Sequence, residues 1–150
     1  MQCLSIFPNS SLENQKQLAE TALLASLFRA DITRLTLREE SDMMESDLAS
    51  DCSGLIDAAH DSLSQSIVIL HNLVTTGQGH ESFSQRLREI QDWLTAAHYS
   101  NSYCLNEFTS DNNMNNSTEL VRGRVLYQYQ TTENAIDLFR RFAKSLGVRF

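Results

Sequence analysis

Proline is nearly missing from this 150-residue chain, occurring once, and glycine occurs only five times. Without the two strongest helix breakers, long stretches are free to run as helix. The β-branched and aromatic alternation expected of strands is lacking too. No run approaches the roughly 20 consecutive apolar residues needed to cross a bilayer, which argues against a transmembrane helix. Basic residues are outnumbered twelve to nineteen, giving a formal net charge of -7. That balance opposes the phosphate-neutralising patch needed for nucleic acid, and it disfavours anionic membranes. A neutral or basic protein surface suits this charge better. Met1 to Phe7 has neither a basic start nor a long apolar core, so no secretory signal is visible.

What the chain does have is 41% hydrophobic residues, enough for one continuous core and hence one domain. Between Leu12 and Leu37 apolar residues recur at helical spacing through Leu18, Ala22, Ala25, Ile32 and Leu35, broken by Arg29. A second stripe steps by three or four through Leu48, Cys52, Ile56, Ala59, Leu63, Ile67, Leu70 and Val74. Its helix is expected to begin near Ser41 or Asp42, where a side-chain cap and acidic residues suit the positive end of the helix dipole. Gly77 and Gly79 end it. A third stripe, Phe83, Leu87, Ile90, Leu94, Ala97, Asn101, Cys104 and Phe108, forms a heptad seam. Thr109 to Thr118 is dense in residues that compete for backbone hydrogen bonds and reads as a polar loop. The last stripe runs through Val121, Val125, Gln128, Thr132, Ala135, Phe139, Phe142 and Leu146, with Gly147 as the stop. Four amphipathic helices with short connections predict an all-α, antiparallel, up-and-down four-helix bundle over residues 12–150. Residues 1–11, with Pro8 making a turn, are expected to form an N-terminal extension.

The residues that carry catalysis or bind metal do not assemble in this sequence. A di-iron bundle needs Glu-x-x-His on two helices, and the nearest approach is Asp57 with His60. His71, His80 and His98 lack metal-ligand spacing to each other or to the cysteines. There is no strained nucleophile turn such as G-x-S-x-G and no glycine-rich phosphate loop. Neither a cofactor nor an enzymatic activity is predicted. The acidic run Glu39 to Asp51 reads as a solvated, dipole-complementing face. Trp93, next to Leu94 of the seam, reads as a core-edge residue. Sequons for N-glycosylation occur at Asn9, Asn115 and Asn116, the last two in the polar loop.

Three cysteines are an odd number. Cys52 and Cys104 both fall on inward stripes, so across an antiparallel bundle they are either two buried free thiols or a bonded pair. A bond would close a loop of about 50 residues, worth roughly 4 kcal/mol in the chain-entropy model.

The surroundings of those cysteines resemble a known family. Asp51-Cys52-Ser53-Gly54-Leu55-Ile56-Asp57-Ala58-Ala59-His60-Asp61-Ser62-Leu63 is similar to the pattern DC-x-x-L-Y-D-x-A-x-D-x-L of the plant invertase and pectin methylesterase inhibitors. Trp93-Leu94-Thr95-Ala96-Ala97, followed by Cys104-Leu105-Asn106-Glu107-Phe108, is similar to their WLSAALTNQDTCLDGF, with the same spacing from tryptophan to cysteine to phenylalanine. Thr132-Glu133-Asn134-Ala135-Ile136-Asp137-Leu138 resembles their S-x-NALAL.

The resemblance implies a four-helix bundle with an N-terminal helical hairpin and a disulfide between Cys52 and Cys104. It further implies a secreted, cell-wall protein that binds pectin methylesterase or acid invertase and occludes its active site. The family ties its hairpin with a second disulfide, and here Cys3, Phe7 and Pro8 echo that motif. The second cysteine is replaced by Ser11, which leaves Cys3 as a free thiol. Around the last cysteine, Tyr103 and Asn106 stand where the family carries threonine and aspartate. By position, Ser100, Asn101, Ser102, Tyr103 and Asn106 are the expected partner-binding residues. The alternative functional expectation is a helical pro-region of a pectin methylesterase, or a related interaction module that does not inhibit.

Overall fold

A computed structural model describes residues 7–73, 80–109 and 114–150. Cys3, the side chain of Asn9, the helix stop at Gly77 and Gly79, Val74 at the end of the second stripe, and residues 110–113 of the polar loop lie outside the described residues. Among the described residues four α-helices form: α1 (Phe7–Glu40), α2 (Ser46–His71), α3 (His80–Thr109) and α4 (Asn116–Ser145). Helix α1 takes in residues 7–11, and Pro8 lies in its first turn, where a missing N–H breaks no helical hydrogen bond.

Each helix touches its two neighbours around a square, α1 against α2 and α4, and α3 against α2 and α4. Cross-helix partners give the directions. Between α1 and α4, Ser26 meets Thr132 and Gln15 meets Ser145, so numbers rise along one helix as they fall along the other. The same inversion relates α1 to α2 through Arg34 with Asp57 and Asp31 with His60. It also relates α3 to α4 through Asn101 with Thr132 and Gln91 with Arg140. The bundle is therefore antiparallel and up-and-down, as the stripes predict.

The stripes of α3 and α4 are found inside almost residue for residue; only Leu146 is partly exposed. Helix α1 is different. Its inner face is Ala19, Leu23, Ser26, Ala30, Thr33 and Leu37. The predicted stripe is rotated outward: Leu18 and Leu35 are 55% and 51% exposed, Ala25 is exposed, and Ala22 and Ile32 sit half-buried at the flank. The true inner face carries Ser26 and Thr33, whose hydroxyls find partners inside, so apolar spacing alone selects the wrong side of this helix.

The Thr33 hydroxyl donates to the Arg29 and Arg124 carbonyls at 2.9 and 3.4 Å, and the Ser26 hydroxyl belongs to a polar layer. Ser26 and Thr132 share a hydrogen bond of 2.6 Å, Asn101 Nδ2 donates to Thr132 Oγ1 at 3.0 Å, and Gln128 Nε2 donates to Asn101 Oδ1 at 2.7 Å. All four residues are fully buried. The layer separates two apolar clusters. The larger one gathers around Leu23, Leu63, Ile90, Leu94, Phe139 and Phe142. The smaller one surrounds Cys52, Ile56, Cys104, Phe108, Val121 and Val125. Buried polar groups are generally tolerated only with partners; in this layer Gln128 Oε1 is the exception, buried with no hydrogen-bond partner among the described residues.

Helix ends follow local chemistry, with corrections at both ends of α2, which closes at His71 with Asn72 as its C-cap, short of the expected stop at Gly77 and Gly79. The expected start of the second helix at Ser41 or Asp42 is instead a 3-10 turn, Ser41–Met43, and α2 begins at Ser46 after Glu45. The turn brings Met44 into the smaller cluster, 8% exposed, so burial of a methionine outweighs the side-chain cap. At the other end of the chain, Gly147 adopts φ +82. The N–H groups of Gly147 and Val148 bond the carbonyls of Lys144 and Ala143 at 2.9 and 3.0 Å. This is a Schellman closure, which favours glycine at the left-handed position, and Val148 folds back into the core.

Candidate interaction surface

The second half of α3 is fixed from beneath at two places. Cys104 is joined to Cys52 by a disulfide, with Cα atoms 4.8 Å apart. One turn earlier, Asn101 is held by Thr132 and Gln128. A helix turns 100° per residue, so Asn101 and Cys104 point inward while positions two residues away point out. Tyr99, Tyr103 and Asn106 form that outer stripe, stepping by four and three. Tyr99 and Tyr103 are 58% and 60% exposed, and their rings lie near-parallel with centroids 6.4 Å apart. Asn106 is exposed as well, and Ser100 and Ser102 are half-buried on either side.

Of the five residues proposed from position, four thus lie on or beside one accessible face. Asn101 does not. It is completely buried, and its amide is used by Thr132 and Gln128, so it supports the surface from inside and cannot reach a partner. Tyr99 is the residue that positional reasoning misses. The signal was present in its spacing, since aromatic rings four apart on a helix meet on one face. A pair of tyrosines offers a large, stiff, amphipathic contact area at low cost in side-chain entropy.

Other singled-out residues take structural places. Trp93 is 37% exposed at the edge of the seam. His60 Nε2 lies 2.9 Å from Asp31 Oδ1, and Arg34 Nε lies 2.9 Å from Asp57 Oδ1, so the two pairs clasp α1 to α2 at the boundary. Asn115 caps α4: its Oδ1 accepts from Thr118 N at 2.8 Å and Thr118 Oγ1 at 3.0 Å, and its Nδ2 donates to the Met43 carbonyl at 2.8 Å. Asn116 is exposed in the first turn of α4. Among the described residues, no three His, Cys, Asp or Glu side chains converge as metal ligands, and no helix is long and apolar enough to cross a membrane.

Comparison with known proteins covers nearly the whole bundle. The family model of the plant invertase/pectin methylesterase inhibitors matches residues 1–138. Pectinesterase inhibitor 9 of Arabidopsis thaliana is 30% identical over 145 residues, covering 91% of this chain and 70% of its own length. Pectinesterase inhibitor 11 of the same plant is 28% identical over 151 residues, covering 94% and 72%. A 21 kDa protein of Daucus carota is 26% identical over 147 residues, covering 95% and 75%. No solved structure gives a significant match.

Proposed function

The chain belongs to the plant invertase/pectin methylesterase inhibitor family, and from that premise we propose that it is a cell-wall enzyme inhibitor whose target is pectin methylesterase. Members of this family restrain enzymes and are not enzymes themselves. Binding occurs through the outer stripe of α3, with Tyr99 and Tyr103 as anchors and Ser100, Ser102 and Asn106 around them. The observation that carries this reading is the exposed, stacked tyrosine pair on a helix segment fixed beneath by the Cys52–Cys104 bond. A rigid helical face laid over a cleft excludes substrate without taking part in the reaction, so chemistry on the inhibitor is unnecessary. The names of the two pectinesterase inhibitors among the relatives favour pectin methylesterase over acid invertase. An oxidising extracellular compartment suits the disulfide, and the exposed Asn116 is the sequon placed to carry a glycan.

The test is a titration of the oxidised protein into purified pectin methylesterase and acid invertase at mildly acidic pH. Saturable loss of pectin methylesterase activity at near-stoichiometric inhibitor, with invertase unaffected, is the expected result. Survival of both activities in stoichiometric excess of inhibitor rules the reading out.

A further inference from the structure

A second site lies away from the tyrosine face, where α4 ends. Arg140, Lys144, Arg149, Gln91, Val148 and Phe150 surround a cavity of about 440 Å³. Three of the chain's twelve cations therefore converge on one hollow of a protein whose net charge is -7. Among the described residues, Lys16, Arg34 and Arg86 are the Lys and Arg side chains that pair with a carboxylate. Arg140, Lys144 and Arg149 form no such ion pair, and what sets them apart from the other unpaired cations is that they share one hollow. Glu133 and Asp137 line the neighbouring groove that Arg140 also borders, and neither of them pairs with it.

The dipole of α4 does not account for this grouping. Lys144 lies in the last turn, where a cation is favoured by the negative helix end. Arg149 lies beyond the helix, and Arg140 precedes its last turn. What brings the three together is the closure at Gly147, which folds Val148 back against Ala143 and carries Arg149 round beside Lys144. Arg140 is oriented by donating from Nε to Gln91 Oε1 at 3.4 Å, which leaves the terminal nitrogens of its fork for a planar anion. Guanidinium groups bind carboxylates through two parallel hydrogen bonds in that geometry.

The hollow also has an apolar wall. Phe150 is 51% exposed, and its inner side stacks on Phe139 with ring centroids 5.8 Å apart. Beside it, Val148 is buried. A small inorganic anion has no use for that wall. A sugar ring bearing a carboxylate does, because one face of a pyranose is a sheet of C–H groups that packs on an aromatic ring while its carboxylate reaches the cations.

We infer that this cavity is a binding site for a uronic-acid unit of an acidic polysaccharide. Choosing pectin as that polysaccharide rests on the function proposed above: an enzyme that removes methyl esters from pectin uncovers ring carboxylates, so its product matches this site and its esterified substrate does not. The inhibitor is then held on wall regions where its target has already worked.

The experiment titrates a short oligogalacturonate into the intact oxidised protein, followed by amide chemical shifts and calorimetry. The fully methyl-esterified oligomer and inorganic phosphate at matched ionic strength serve as the other ligands. Saturable binding that shifts the amides of residues 140–150, weakened at least tenfold by esterification and by the pair Arg140→Gln with Lys144→Gln, is expected. Thermal melting of that variant is expected to match the parent, since both side chains are exposed. Equal binding of phosphate overturns the sugar assignment, and unchanged binding by the variant overturns the site. If the variant loses enzyme inhibition while the oligomer never binds, the cations belong to the enzyme contact and the inference fails. Oligomer binding without any inhibition sinks the inhibitor reading and leaves this site standing.

Discussion

Two residues of α3, two positions apart, separate support from contact. Asn101 is sealed in the core with its amide shared between Thr132 and Gln128, whereas Tyr103 is 60% exposed. Replacing Asn101 by leucine strands the Gln128 amide N–H group in a buried layer, whereas the Thr132 hydroxyl keeps its bond to Ser26. A buried group left unpaired costs about 1–3 kcal/mol, so Asn101→Leu is expected to lower stability by about that amount. For a chain of this size that is a fall in Tm of roughly 2–12 °C. Inhibition per folded molecule is expected to survive. Tyr103→Ala has the opposite signature, with Tm close to the parent and affinity for pectin methylesterase reduced about tenfold to thirtyfold, the range of a central aromatic anchor. Circular-dichroism melts and inhibition titrations on both variants check the contrast, and a Tyr103→Ala protein that inhibits like the parent removes that residue from the interface.

At the scale of the helices, the sequence is legible where burial and hydrophobicity coincide. Along the seam of α3 every position except Asn101 is apolar or cysteine, with Ser84 and Gln91 buried beside it, so spacing identifies the face. Along α1 they part company, because Leu24, Phe28 and Leu35 are more than half exposed while Ser26 and Thr33 are buried. The information that places those two hydroxyls inside belongs to α3 and α4, which supply their surroundings, and no local pattern contains it. Asn101 and Tyr99 are different, because local spacing already contains their roles: Asn101 lies on the inward stripe of α3, and Tyr99 lies four residues before Tyr103 on the outer face. Helix α4 shows a cap that is legible only in part. Asn115 is a sequence-level capping residue, yet it also bonds the Met43 carbonyl across the bundle. Loss of a cap of this type costs about 1 kcal/mol, and loss of the cross-tie adds to it. Asn115→Ala is therefore expected to cost about 1.5–2 kcal/mol in chemical denaturation. Asn115→Asp keeps the cap but not the donor to Met43, so it is expected to fall between the two. Equal stability of Asn115→Asp and Asn115→Ala would show that capping contributes nothing here.

For the molecule as a whole, the polar layer divides the interior into two cores of unequal size, and the disulfide lies in the smaller one. The bond spans 52 positions of sequence, for which the loop-entropy relation gives roughly 4 kcal/mol. Most of the apolar burial lies beyond the layer, around Leu63, Leu94 and Phe139, and does not depend on the bond. The pair Cys52→Ser with Cys104→Ser is thus expected to remain helical while its Tm falls by roughly 8–16 °C. Local opening free energies differ across a structure according to the contacts each region buries. In the double variant, amides of residues 48–56 and 101–108 should therefore exchange with solvent well before those of residues 63–70 and 87–94. Because Tyr103 stands directly over the weakened end, inhibition should drop further than the loss of folded protein alone explains. Uniform loss of protection along α2 and α3 would mean that the bundle opens as one unit and that the polar layer does not divide it.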